Sequence, residues 1–133
     1  MGGQSEQTDW QIRAIRGATT VPENSIEAMA AAVSELLDAV EARNELDPEK
    51  MVSVTFSVTR DLDAVFPAAI ARKRPHWGNV PLLDVQQMHV EGSLPRCIRL
   101  MLHIYLPTTV PSVNHAYLRD AQKLRPDLCL AAE

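Results

Sequence analysis

Apolar residues recur along this chain with two different periods, and each change of period marks a change of element. From Ser25 to Asn44, Ile26, Met29, Ala30, Val33, Leu36, Leu37 and Val40 return every three or four residues, the spacing that lines one face of a helix. Asn24 is placed to cap that helix, with Glu27 three residues on. Met51 to Val58 alternates instead, with Val52, Val54, Phe56 and Val58 on one side and Ser53, Thr55 and Ser57 on the other, which predicts a half-buried strand. Gln11 to Val21 alternates more weakly but contains Thr19, Thr20 and Val21, so it reads as a strand despite Gly17, stopped by Pro22. After the turn at Asp61-Leu62-Asp63, Pro67 can open a short helix running to about Arg74, where Pro75 ends it. Val80 to Val90 is rich in branched residues, and Arg96 to Tyr105 sets Ile98, Leu100, Leu102 and Ile104 against Cys97, Arg99, Met101, His103 and Tyr105. Both are expected to be strands, with a turn over Gly92 to Pro95. Ser112 to Leu124 carries Val113, Ala116, Tyr117, Ala121 and Leu124 on a helical stripe closed by Pro126, so a last helix is expected there.

The order is therefore strand, helix, strand, short helix, two strands, helix. That pattern gives an α+β fold, a mixed β-sheet with its helices mostly on one face. The opposite face, which bears serines and threonines, then needs a cover, and a second copy of the same subunit supplies one most simply. No repeat or linker divides the chain. Residues 1 to 9 are expected to be a flexible polar leader and residues 10 to 133 one domain.

Composition narrows the function. A chain of 133 residues with 46% apolar content can bury a core without a metal or disulfide staple. With 13 basic and 17 acidic residues the net charge is -4, which argues against nucleic acid or an anionic membrane as partner. Any anionic ligand must be drawn by a local patch. Cys97 and Cys129 lie far apart with no metal-ligand spacing, and no apolar signal segment opens the chain, so a reducing cytoplasm is the expected location. Glu6 stands where a myristoylation signal wants Ser or Thr. The histidines His76, His89, His103 and His115 show no tight ligand spacing, so no metal is expected, and the phosphate-cradling and nucleophile-elbow motifs are missing.

The candidate chemistry lies in arginines. Arg99 interrupts a strongly apolar strand, where a cation needs a partner: an acidic neighbour, water reached by snorkelling, or an anionic ligand. Arg16 shares a strand face with Ile12 and Ala14 and is open to the same alternatives. Arg72, Lys73 and Arg74 close the short helix, where cations meet the C-terminal dipole favourably. Tyr117 on its apolar stripe is in the simplest case a core or interface aromatic. Spacing alone leaves the function open.

Several runs, however, resemble the small trimeric chorismate mutases of the Bacillus type. Arg13-Ala14-Ile15-Arg16-Gly17-Ala18-Thr19-Thr20-Val21 is similar to that family's opening R-x-I-R-G-A-T-T-V, and Asp61-Leu62-Asp63-Ala64-Val65-Phe66-Pro67-Ala68 to its D-L-x-A-V-F-P-A. Trp77, Val80-Pro81, Gln86, Met88, Cys97-Ile98-Arg99, Tyr117-Leu118 and Leu124-Arg125-Pro126-Asp127-Leu128 follow in family order, so the likeness spans Arg13 to Leu128.

The resemblance implies a cofactor-free enzyme that rearranges chorismate to prephenate, and a homotrimer whose sheets form a central pseudo-barrel with active sites at the subunit interfaces. It implies Arg99 as the cation on the ether oxygen, Arg16 on a substrate carboxylate, and Tyr117 as a hydrogen-bond donor. Phe66, Leu83 and Leu124 would wall the pocket, Arg72 would come from the adjoining subunit, and Arg125 would stand at the entrance. This chain departs from the family pattern at Gln87, where a glutamate is usual, at Asp84, where a cysteine is usual, and at Ala69, where a lysine is usual. Asp84 is thus expected to stand in for the missing carboxylate, provided the strand is bulged or ends nearby, since residues three apart face opposite ways. The alternatives are that Asp84 pairs with a neighbouring arginine, or that the protein is a non-catalytic trimeric small-molecule binder or a purely structural trimer on the same scaffold.

Overall fold

The structure, a computed structural model, describes residues 8–129; residues 1–7 of the expected leader lie outside them. Five strands form one mixed sheet in the order β3-β2-β4-β1-β5, with β1 at Trp10–Thr20, β2 at Met51–Val58, β3 at Leu82–Gln86, β4 at Cys97–Pro107 and β5 at Ala116–Tyr117. Helices α1 (Ile26–Asn44) and α2 (Pro67–Arg72) complete the fold. Strand β4 is the spine. It pairs antiparallel with β1 on one side and β2 on the other, while β3 adds parallel to β2 and β5 parallel to β1. Asp9, at the end of the expected leader, is already tied in, because its carbonyl accepts from the Thr108 N–H at 2.9 Å.

The alternation in β4 decides which face is the core. Ile98, Leu100, Leu102 and Ile104 are buried, and the register places Ile15 against Leu102, Val54 against Leu102 and Phe56 against Leu100. Onto this face α1 lays Met29, Ala32, Val33, Leu36, Leu37 and Val40, all fully buried. Ile26, expected on the same stripe, is exposed in the first turn, and Ala32 takes the inward position. The N-cap is Ser25 rather than Asn24: its hydroxyl accepts from the Ala28 N–H at 3.1 Å. Asn24 is occupied elsewhere, donating to Asp63 and accepting from the Asp63 and Ala64 N–H groups, so it pins the turn that leads into α2.

Two other expectations fail for identifiable reasons. A bulge between Met51 and Ser53 shifts the start of β2, so Met51 is buried and Val52 faces out. The expected helix over Ser112 to Leu124 is instead the short strand β5 followed by a 3-10 helix at Arg119–Lys123. The free edge of β1 outcompetes a short local helix: Gly17 and Ala18 pair with Ala116 and Tyr117, and Leu118 N–H donates to the Ala18 carbonyl at 2.9 Å. The strand expected over Val80 to Val90 is shorter, ending at Gln86. Among the described residues no helix is long and apolar enough to cross a membrane.

The end of α2 is fastened to α1 through Glu41, which accepts from the Trp77 indole at 3.0 Å and from Arg74; Arg74 also reaches Asp38 at 2.8 Å. Arg74 is thereby structural. At the crossing of β1, β5 and α1 the sequence places Gly17, where a Cβ would stand 3.2 Å from both Leu100 and Leu36 side chains and 3.3 Å from the Ala116 carbonyl. Gly17→Ala is therefore expected to destabilise the protein by about 1–3 kcal/mol, the usual cost of overpacking, measurable as a lower denaturant midpoint at unchanged slope.

Candidate active site

The face of the sheet away from the helices carries the chemistry. The β1–β4 register sets Arg16 opposite Met101 and Ala18 opposite Arg99, and the β2–β4 register sets Ser57 opposite Arg99 and Thr55 opposite Met101. Paired residues share a face, so both arginines and the polar row of β2 stand on the outer surface. Strand β5 adds Tyr117 beside Ala18, and the C-terminal segment brings Leu124 and Arg125 over it. Arg16, Arg99, Tyr117, Leu124 and Arg125 line one cavity of about 500 Å³, floored by Gly17, Thr55, Ser57, Leu100 and Met101.

Among the described residues, neither Arg16 nor Arg99 forms an ion pair with a carboxylate. Of the alternatives for a cation in an apolar strand, the acidic neighbour is thus not the one realised. Arg125 differs, binding Asp127 through two hydrogen bonds of 3.0 and 2.8 Å. Cys97, under Arg99, has its thiol pushed up by burial, with the Arg99 guanidinium partly offsetting this. Arginines left unpaired in a concave site are what a carboxylate-bearing ligand needs, since a guanidinium stays protonated and binds a carboxylate through two parallel hydrogen bonds.

The other expected site residues are not in this cavity. Phe66 and Asp84 line a second one, of about 520 Å³, between the Asp61 to Pro67 turn and β3. Phe66 is 69% exposed, a large aromatic with no cover in the isolated subunit. Asp84 lies on the helix side of the sheet, where one carboxylate oxygen accepts from the Ala68 N–H at 3.0 Å in the first turn of α2. Burial raises its pKa, against the lowering effects of that N–H and of Arg72. Asp84 thus neighbours Arg72 and forms no contact with Arg16 or Arg99 within the subunit. Gln87 follows the last residue of β3, its N–H donating to the Val58 carbonyl at 2.8 Å, and its side-chain oxygen is buried without a hydrogen-bond partner among the described residues. The strand does end nearby, as joint use of Asp84 and Gln87 requires. Arg72 is exposed at the end of α2, and Leu83, 58% exposed, stands beside Thr55 on the outer face.

The candidate residues therefore separate into two half-sets: Arg16, Arg99, Tyr117, Leu124 and Arg125 in one cavity, and Phe66, Arg72, Leu83, Asp84 and Gln87 outside it, Phe66 and Asp84 in a second cavity. A family model described as chorismate mutase type I matches residues 12–128. The chain belongs to this family. Chorismate mutase AroH of Bacillus subtilis (strain 168) is 40% identical over 119 residues, covering 90% of this chain and 94% of that protein. Chorismate mutase AroH of Thermus thermophilus is 44% identical over 118 residues, covering 88% of this chain and 96% of that protein. Among solved structures, a chorismate mutase from Clostridium thermocellum superposes with a TM-score of 0.76 at 38% identity, covering 84% of this chain and 98% of that one. As a chorismate mutase family member, the chain has an α+β fold with a mixed sheet, as the hydrophobic pattern alone indicates.

Thr55, Ser57 and Met101, which the hydrophobic pattern marks only as strand positions, line the same cavity as the arginines. The signal for the first two was present, because a strand whose outward row is Ser53, Thr55 and Ser57 offers polar groups to something. His115, whose spacing suggests no metal site, accepts from the backbone N–H of Arg16 through its imidazole.

Proposed function

We propose that this protein is a chorismate mutase, converting chorismate to prephenate at sites shared between subunits of a homotrimer. The observation that carries the reading is the pair Arg16 and Arg99, gathered beside Tyr117 in one cavity without a carboxylate partner among the described residues. Chorismate is a dianion, and its rearrangement is a concerted sigmatropic shift. The ether C–O bond lengthens, negative charge gathers on its oxygen, and the ring fragment becomes correspondingly positive. No proton is transferred and no covalent intermediate forms, so the protein's task is to hold the compact diaxial conformer and to supply fixed charge where charge develops. In this reading Arg99 addresses the ether oxygen, Arg16 a carboxylate, and Tyr117 donates a hydrogen bond. Leu124 walls the pocket and Arg125 stands at its mouth, giving an acidic protein a locally cationic entrance for an acidic substrate.

The second half-set, Phe66, Arg72, Leu83, Asp84 and Gln87, would be contributed by the neighbouring subunit. Two features support assembly. Ile12, Met101, Tyr105, Leu83 and Val85 are exposed together on the outer sheet face, a run of apolar area that an isolated subunit leaves in water. Phe66 and Asp84 of the second half-set also line a different cavity from the arginines, which suits a site completed by a second chain. Free Cys97 and Cys129 fit a cytoplasmic protein.

The direct test is to add purified protein to chorismate in the presence of a chelator and follow loss of the enol-ether absorbance and appearance of prephenate; no conversion refutes the activity. Shared sites have a further consequence. Arg99→Ala and Arg72→Ala damage opposite half-sets, so refolding the two variants together in equal amounts should leave about a quarter of the sites with both halves intact and restore activity in that proportion. Verified mixed trimers without recovery would refute the sharing.

A further inference from the structure

The backbone of one residue of the cationic cavity is held by a side chain that does not line it. Arg16 N–H donates to Nδ1 of His115 at 2.9 Å. That bond sits one residue before the point where the β1–β5 ladder begins, at Gly17 opposite Ala116. The side chain thus supplies the rung that the backbone of residue 115 does not. His115 is itself held from behind by the C-terminal end of α1, which is seated in the core. Arg43 donates to the His115 carbonyl at 3.2 Å, and Asn44 and Asn114 exchange bonds of 2.8 and 2.7 Å. Asn114 also donates to the Arg43 carbonyl at 3.0 Å. Residues 108–115 have no regular structure of their own, so this clasp is what delivers the chain to β5 in register.

We propose that His115 is a positioning residue for the reaction: as a neutral acceptor at Nδ1 it fixes the backbone of Arg16, and with it the spacing between Arg16 and Tyr117. The inference rests on the reading of Arg16 as a partner of a substrate carboxylate. An Arg side chain is long, and a carboxylate clamp loses its advantage when the backbone beneath it shifts by a fraction of an ångström. The acceptor must be an unprotonated nitrogen, which places the ring proton on Nε2.

The charged groups facing the imidazole are cations from three directions. Arg16 and Arg13 come from β1 and Arg125, paired with Asp127, from the C-terminal segment, while Arg43 of α1 binds the carbonyl of His115. Burial first, and then the charges of Arg16, Arg125 and Arg13, hold the pKa of His115 below the ordinary histidine value. The ring therefore stays neutral at pH values where a free histidine has begun to charge. Protonation would put a proton on Nδ1 against the Arg16 N–H and add a further cation to the cluster.

Asparagine carries its Oδ1 where histidine carries Nδ1, so it keeps a neutral acceptor, whereas alanine removes it. With folding verified by circular dichroism, His115→Ala should raise KM for chorismate about tenfold while kcat changes less than about threefold, and His115→Asn should stay within about threefold of the unaltered protein in both. Unchanged KM in His115→Ala, or equal impairment of two folded variants, overturns the proposal. If the alanine variant does not fold, nitrogen NMR of the unaltered protein decides: at neutral pH the His115 Nδ1 resonance should be that of an unprotonated acceptor, and an Nδ1–H tautomer or imidazolium overturns the proposal. That measurement needs no turnover, so a failure of the proposed activity and a failure of this inference are separately visible.

Discussion

Arg99→Ala is expected to cut turnover of chorismate by at least roughly 10² to 10³ while the protein remains folded, because in the proposed mechanism it removes the charge that meets the developing negative charge of the transition state. The two halves of this expectation come from the alternation of β4. The inward neighbours Ile98 and Leu100 do the packing, whereas Arg99 is exposed on the outer face and makes no ion pair among the described residues, so truncating it opens no core cavity. Stability should stay within about 0.5 kcal/mol of the starting protein, the usual range for surface positions. Arg99→Lys should fall between, since a lysine keeps the charge but not the planar fork. Steady-state rates with a denaturation curve for each variant check this, and a folded Arg99→Ala with near-normal turnover would remove Arg99 from the mechanism.

The second large effect is expected at Asp84. It is the one carboxylate among the proposed site residues, and in the proposed shared site it would be set against Arg16, Arg72, Arg99 and a ring fragment that gains positive charge. Asn at this position can still accept the Ala68 N–H, so Asp84→Asn leaves the α2 contact in place and removes only the charge. Turnover should fall roughly 10- to 10²-fold, as expected for losing a compensating anion beside several cations. Gln87→Ala removes a neutral group worth about 0.5–1.5 kcal/mol and should be milder. Combining Asp84→Asn with Gln87→Glu returns a carboxylate three residues along and should recover much of the loss, a coupling that a double-mutant cycle measures directly. A fully active Asp84→Asn would confine Asp84 to holding α2.

Much of the local structure follows from the sequence by periodicity: the α1 stripe from Met29 on, the alternation of β4 and of β2 from Ser53 on, and Pro67 at the start of α2 all occur where the pattern puts them. The failures share a cause. Asn24, Val52 and the Ser112 to Leu124 stretch each had a plausible local role, and each was overruled by a partner distant in sequence. The α-helical spacing of Val113, Ala116, Tyr117, Ala121 and Leu124 is real, but a short marginal helix yields to the hydrogen bonds that an open β1 edge offers.

The site divides along the same line. Which residues are candidates for the chemistry is legible in the sequence, because an arginine in an apolar strand and the family motifs around it are visible without coordinates. How they are distributed was decided only by the tertiary structure. Strand register brings Arg16, Arg99 and Tyr117 from three strands into one cavity, while Asp84 and Phe66 fall in another. The His115 contact joins residues 99 positions apart. Side-chain period tells which way a residue points from its own strand, but the neighbours it meets are set by pairing between strands, and that is fixed only when the whole sheet closes over its core.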